Sequence, residues 1–409
     1  MNDAPGPTPP QSPAEGRAAG RDLSVLIAVL GACGFASNFT LRLVDPIVPT
    51  LAEEFGRSIQ QTAILATAFS FSYAFGQPFL GPIADSIGKL RSIAICLGGV
   101  CVAGLLATMA RSFDAMLVLR AVAGIFAGGI IPAAMAAIGD RAPMAERQIA
   151  LGRFLVVMIF GQMSGAAVSG VIAHHLGWQA VFALAALLAL ASLVLVLVLL
   201  KPRAIADRPR LSPAAALASY RKVFANPTTI VLYALVLTEG ALVFGLPPYV
   251  AAILNARSGV GSSEAGLVIG SLGLGGILYG ILTRKLVKRL GPARMTTTGG
   301  LLMASAYAVF ALPLPWWTAI GVFLTQGFGF FLMHGTFQAV ATELAPEARG
   351  SAVALFACSL FAGHAFGPLL IGAATHLVGT TGAILFCAIG IALLGVVTPR
   401  VLPLGGSRS

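Results

Sequence analysis

Charge is the scarcest ingredient of this chain. Asp, Glu, Lys and Arg make up only 10% of its 409 residues, against roughly 25% in a soluble globular protein. With 57% hydrophobic residues and a mean hydropathy of +0.90, that shortage excludes a water-soluble globule. Cysteine is almost as sparse: Cys33, Cys96, Cys101, Cys358 and Cys387 all fall inside apolar runs, none in a C-x-x-C pair. Neither a disulfide framework nor a metal site is indicated, and these residues behave as small apolar ones. No G-x-x-x-x-G-K-(S/T) stretch and no polar domain able to hold ATP are found. No cofactor is expected and the chain does not read as an enzyme; any work it does must draw on an ion gradient or run downhill.

Apolar runs are what the sequence has in abundance. A helix needs about 20 apolar residues to cross the hydrocarbon. Twelve runs qualify: 23–51, 60–84, 92–110, 114–138, 151–173, 178–200, 228–254, 264–287, 295–313, 317–342, 351–373 and 379–398. The first is too long for a cleaved signal peptide and is expected to remain as a span. Residues 1–22, rich in Pro, Ala and Gly, read as a disordered tail. Residues 201–227 interleave Lys201, Arg203, Asp207, Arg208, Arg210, Arg221 and Lys222 with Pro202, Pro209 and Pro213. This single long polar connection divides the spans into 23–200 and 228–398, followed by a tail, 399–409. The fold class expected is all-α integral membrane, with 12 transmembrane helices in two six-helix bundles.

The net charge of +11 would suggest nucleic acid in a soluble protein. Here the bases follow the loops. With the N-terminus cytoplasmic, twenty-one lysines and arginines fall on that side and only Arg57, Arg111 and Arg257 on the other. Cytoplasmic loops carry such an excess, so both termini are placed inside and no nucleic-acid partner is needed. The halves also repeat. A shift of 203 residues lays Gly88 on Gly291, Arg91 on Arg294, Gly124 on Gly327, Asp140 on Glu343 and Pro143 on Pro346. Transporters built from six-plus-six parallel repeats bind substrate near mid-membrane between the halves.

Three motifs carry a resemblance. Between the second and third runs, Gly81, Asp85, Gly88 and Lys89 match the pattern G-x-x-x-D-(R/K)-x-G-(R/K)-(R/K). Ser86 and Leu90 depart from it, and Arg91 stands one place beyond the second base. The fourth run carries Arg120-x-x-x-Gly124. The fifth carries Gly152-x8-Gly161-x3-Gly165-Ala166-x2-Ser169-Gly170, similar to G-x8-G-x3-G-P-x2-G-G with Ala166 in place of proline. Together these resemble the major facilitator superfamily, the third in particular its twelve-helix drug–proton antiporters. The resemblance implies alternating access, a conformational switch in the loop around Asp85, and a glycine face on the fifth helix where another helix packs closely or slides.

Ionisable groups inside hydrocarbon are functional candidates by default. Arg42 and Asp45, three apart, share a helix face in the first run. Asp45 and Arg120 each lie about 9 Å below the same boundary at 1.5 Å per residue, so they are candidates to meet as a proton-coupling pair or as a permanent ion pair. Glu239 lies near mid-membrane with no base nearby in sequence, where its charged form is costly, and is the leading coupling candidate. Gln162, Gln326, His334 and His364 are candidate cavity residues. Phe69, Phe71, Tyr73, Phe75, Phe328, Phe330 and Phe331 are candidates for a cavity wall, for packing or for lipid contact.

The expectation is a monomeric transporter in a bacterial inner membrane, its partners a small-molecule substrate, protons and the bilayer. Its expected function is proton-coupled efflux of a small amphipathic molecule. The rival is uptake of an organic anion, with Arg42 or Arg120 on its charged group. A receptor on the same scaffold has no extra cytoplasmic domain to speak for it.

Overall fold

The computed structural model describes residues 13–201, 213–402 and 404. The expected tail therefore lies outside the described residues over 1–12, as does the centre of the polar connection over 202–212. The end of the C-terminal tail, 405–409, and the side chain of Asp85 lie outside them too. Every element among the described residues is helical: α1 (Pro13–Arg42), α2 (Val48–Glu54), α3 (Ile59–Ile87), α4 (Lys89–Ala107), α5 (Phe113–Arg141), α6 (Met144–Leu176), α7 (Trp178–Leu195), α8 (Pro213–Phe224), α9 (Thr228–Phe244), α10 (Pro247–Ser258), α11 (Ser262–Phe310), α12 (Thr318–Glu343) and α13 (Arg349–Val401). Two expectations change at the edges. Helix α1 begins at Pro13, inside the stretch read as a disordered tail, and the polar connection holds helix α8.

Nine segments among the described residues are long and apolar enough to cross a membrane. Two of them, α11 and α13, are broken internally at Gly291 (φ 69°) and Gly379 (φ 72°), a backbone region that glycine enters without a Cβ penalty. Parsed at these breaks, the nine segments fall over eleven of the expected runs; the remaining run, 60–84, lies on α3, which is helical but is not one of the nine. The breaks also repeat: Gly88 and Gly177 have φ of 97° and 85° and stand 203 and 202 residues before Gly291 and Gly379. The loops at Arg57, Arg111 and Arg257 share one face: the Arg57 guanidinium lies over the Phe113 ring, and Phe55 packs on both Phe113 and Trp178. The opposite face, with the loops at Lys89, Arg141 and Arg349, is called here the basic face.

Proline decides the shape of the first span in each half. Helix α1 stops at Arg42, and a 3₁₀ turn, Asp45–Ile47, leads into α2. Pro46 has no N–H to continue the ladder and its ring would clash with the carbonyl four residues back. Pro247 and Pro248 stop α9 in the same way before α10. Carbonyls released at such breaks must find donors, because no water is available in the hydrocarbon. The Tyr307 hydroxyl lies 3.0 Å from the Val243 carbonyl and 3.3 Å from that of Leu242. Every residue from 36 to 48 and from 239 to 251 is buried, so the two broken spans form the interior of the molecule.

Glycine sets how closely the other helices approach. A Cβ at Gly161 or Gly165 on α6 would stand 2.6 Å from the carbonyl oxygen of Phe35 or Phe39 on α1. The second half repeats this contact: a Cβ at Gly363 or Gly367 on α13 would stand 2.2 or 2.5 Å from the carbonyl oxygen of Leu237 or Ala241 on α9. Gly124 meets Phe69 O, and Gly327 meets Leu272 O, again with both partners 203 residues on. The repeat thus holds at the level of backbone contacts.

Candidate functional site

The candidate site lies where the two broken spans face each other. Arg42, at the end of α1, donates from Nη1 to Asp45 Oδ2 at 3.2 Å. The three-residue spacing works, but across a broken helix rather than along one face of an intact one. Its guanidinium also lies 4.3 Å from the centre of the Phe244 ring on α9, a cation–π contact that joins the halves. Arg42 Nη2 and Asp45 Oδ1 are buried without hydrogen-bond partners. Arg42, Gln162, Met163 and Phe244 line a small cavity between the halves.

Arg120 does not complete the expected pair. It is buried in α5 and donates from Nη1 to the Thr40 carbonyl at 3.0 Å and from Nε to that of Leu65 at 3.4 Å, with Phe69 4.3 Å beneath its guanidinium. Thr40 is one of the residues whose carbonyl is released by the break at Pro46. Arg120 therefore clamps the broken span to α3, and its positive field reaches Asp45 without a hydrogen bond between them. A planar fork suits two carbonyls at once.

Glu239 is the largest correction. It is fully buried, as its depth predicts, but it is not unpaired: Oε2 lies 2.8 Å from Nδ1 of His334 on α12. The His334 ring stacks on Phe330 and packs against Phe356. Its side chain is 12% exposed while that of Glu239 is 0% exposed, so the imidazole is the more accessible member of the pair. The second carboxylate oxygen, Oε1, has no partner.

His364 on α13 is buried between Phe244 and Phe361, with neither ring nitrogen hydrogen-bonded. Phe361 in turn meets Tyr73 of α3 at 4.2 Å, a second aromatic contact between halves. Gln326 on α12 is fully buried beside the Tyr307 hydroxyl, yet neither of its amide atoms makes a hydrogen bond. The aromatics divide: Phe69 and Phe330 are buried, while Phe71 and Phe75 are exposed on the outside of the bundle.

The loop residues lie apart from this centre, on the basic face. Gly88 ends α3 with a positive φ, Lys89 pairs with Asp140 of α5, and Arg91 is exposed. Gly81 has open space around its Cα. Of the fifth-helix glycines, Gly161 and Gly165 pack on α1, whereas Gly170 packs across the halves on Ser262 and Gly266 of α11. Gly152, expected on the packed face, has nothing within 4 Å. Ser262 donates to the Gly170 carbonyl at 2.9 Å. With α10 packed on the 3₁₀ turn, these contacts close the halves against each other at the sparsely charged face.

The Gly363/Gly367 row on α13 escaped the motif reading. It was legible in principle, since both glycines lie 202 residues beyond Gly161 and Gly165.

Comparison with known proteins agrees with this architecture. The family model described as Major Facilitator Superfamily matches residues 30–357. The MFS-type transporter YceJ of Bacillus subtilis is 29% identical over 363 residues, covering 84% of this chain and 89% of YceJ. The quinolone resistance protein NorA of Staphylococcus aureus is 23% identical over 368 residues, covering 87% of this chain and 90% of NorA. Among solved structures, the nucleoside transporter NupG has a TM-score of 0.78 at 14% identity, over 92% of this chain and all 100% of NupG. The D-xylose–proton symporter has a TM-score of 0.77 at 16% identity, over 93% of this chain and 98% of that one. With the family model spanning most of its length and transporters on every side of it, this chain belongs to the major facilitator superfamily and is a multi-pass membrane transporter rather than an enzyme.

Proposed function

We propose that the protein exchanges protons for a small amphipathic molecule, exporting it across a bacterial inner membrane with both termini in the cytoplasm. The basic face is then the cytoplasmic one. The two six-helix bundles, 23–200 and 228–398, rock about the broken spans. The observation that carries the coupling is the buried Glu239–His334 pair. A carboxylate with one oxygen on an imidazole and the other without a partner is costly to keep charged and easy to neutralise by a proton or an arriving cation. The imidazole is the less buried member of the pair, and in this reading it is the side from which a proton or cation reaches the carboxylate. A cationic substrate that displaces the proton makes binding and protonation compete, which is what antiport requires. The efflux direction takes support from the likeness to NorA, whose name records quinolone resistance.

Uptake of an organic anion has one observation in its favour: the unpartnered Nη2 of Arg42 beside the cavity with Gln162. Arg120 also has an unpartnered Nη2, but its Nε and Nη1 are held by carbonyls and it does not line that cavity. Purified protein in liposomes with an imposed pH gradient decides between them. Export coupling predicts that a quinolone, or a cation such as ethidium, concentrates on the acidic side of the membrane. Indifference of both to the gradient, with gradient-driven movement of organic anions instead, would refute export.

A further inference from the structure

Away from the central site, at the sparsely charged face, a cavity of about 300 Å³ opens between the halves. That volume is at the lower end of the range for small-molecule sites. One wall is the start of α3, Ile59 and Gln60, from the first half. The other is built by α10 and by α13 on both sides of its break at Gly379, all from the second half. Contact between the walls is close: the side chain of Gln60 lies 3.7 Å from where a Cβ of Gly372 would stand, and the Tyr249 hydroxyl lies at 2.7 Å from it. Tyr249 is fixed by donating to the Pro368 carbonyl at 2.7 Å.

The lining has one sign of charge. Arg257, at the end of α10, is the sole charged side chain there. Its Nη1 is spent on the carbonyls of Phe310 and Leu312, and its guanidinium lies 5.3 Å from the centre of the Phe310 ring; these contacts anchor it and leave Nε and Nη2 without a hydrogen-bond partner among the described residues. Two adjacent N–H groups on a rigid plane match the oxygens of a carboxylate, sulfonate or phosphate. Thr380 and Thr381 line the same cavity, and neither hydroxyl makes a hydrogen bond among the described residues. Ile253 and Ile371 add apolar surface to the lining. A charged head with an apolar body is the occupant such a lining suits.

We propose that this cavity is a second binding site, separate from the central one, for a small amphipathic anion, and that its occupant holds the two halves together at this face. The second part follows from the walls. If the halves separate here, Gln60 and Ile59 leave Tyr249 and Gly372, and the site ceases to exist. A ligand that binds only the closed arrangement must oppose opening in proportion to its occupancy. The inference does not depend on which molecule is transported or in which direction.

A phospholipid headgroup presents the same chemistry, so the experiment separates the sources. The probe is 2-naphthalenesulfonate, which is charged at all working pH values, with 2-naphthalenesulfonamide as its neutral counterpart. Binding is measured by equilibrium dialysis against protein in phosphatidylcholine nanodiscs. Opening is measured by maleimide labelling of Ser262→Cys, at the contact of α11 with Gly170 of α6 between the halves, relative to the parent with its native cysteines. The sulfonate is expected to bind and the sulfonamide not to. At ten times its Kd the sulfonate should slow labelling roughly tenfold. Arg257→Gln should weaken binding at least tenfold, and Thr381→Val, which leaves the Arg257 anchor in place, by a few-fold. Neither should alter labelling without probe. If nanodiscs containing phosphatidylglycerol suppress probe binding in wild type, the natural occupant is an anionic headgroup; if they do not, it is a free anion. No binding, equal binding of sulfonamide, or equal binding to Arg257→Gln overturns the site. Binding that leaves the labelling rate unchanged overturns its role in closure.

Discussion

Glu239→Gln tests the coupling most directly. The amide keeps the volume of the acid, and its NH₂ is able to donate to His334 Nδ1 where Oε2 now stands at 2.8 Å, so the fold should survive. The variant cannot exchange a proton. A gradient of one pH unit is worth about 1.4 kcal/mol per proton, or a tenfold concentration ratio. Wild-type proteoliposomes exchanging one proton per substrate should therefore build a ratio approaching tenfold across such a gradient. Glu239→Gln should reach a ratio of one and stay there. Substrate-for-substrate counterflow, which consumes no protons, should persist in the variant, because the alternating movement itself is untouched. His334→Ala supplies the structural control. It leaves a fully buried carboxyl with neither oxygen bonded, a loss of about 1–3 kcal/mol that should appear as a lowered unfolding temperature. Tenfold accumulation by Glu239→Gln would refute the reasoning, and loss of counterflow would reduce the pair to a packing element.

Other substitutions probe the remaining parts. Gly165→Ala places a Cβ 2.6 Å from a backbone oxygen and should cost roughly 1–3 kcal/mol of overpacking with loss of transport, while Gly152→Ala, with nothing within 4 Å, should be silent; thermal unfolding in detergent and transport read both. Gly88→Val forces a β-branched residue to φ 97°, a strain of about 1–3 kcal/mol, and should slow conformational exchange while leaving equilibrium substrate affinity within a few-fold. Gly81→Ala, in open space, is its control. Arg120→Lys keeps the charge but cannot span the carbonyls of Thr40 and Leu65 together, so it should lower the unfolding temperature; a variant as stable as wild type would show that the clamp is not needed.

Much of the fold is legible in the chain because hydrocarbon imposes a one-dimensional rule: long apolar runs, polar turns and bases on one face. Depth is legible for the same reason, which is why Glu239, Arg42, Asp45 and Arg120 could be singled out. Rotation about each helix axis is not, since it depends on how a dozen helices pack. That is why Glu239 looked unpaired although its partner lies 95 residues away, and why Arg120 looked like a partner for Asp45 when it serves backbone carbonyls instead. The prolines at 46, 49, 247 and 248 were a signal in plain view. A proline inside a membrane span releases carbonyls, and a buried donor such as Arg120 or Tyr307 is then required nearby.

The glycine rows bear on the direction of transport. Gly161 and Gly165 resemble an antiporter motif, but Gly363 and Gly367 make the same contact with the carbonyls of α9 that the first pair makes with those of α1. A feature that the two halves share by internal repetition reports how a repeat packs its first helix against its fifth. It does not distinguish export from uptake, because both use the same packing. The halves differ instead at the acids. Asp45 has its partner within its own broken span, at 3.2 Å from Arg42. Glu239 has only the imidazole of His334, 2.8 Å away and the less buried of the two. Neutralising Asp45 would strand the guanidinium charge of Arg42 in hydrocarbon, whereas no arginine or lysine is paired with Glu239. The asymmetry between these two acids, rather than the motif, is what favours proton exchange in the second half.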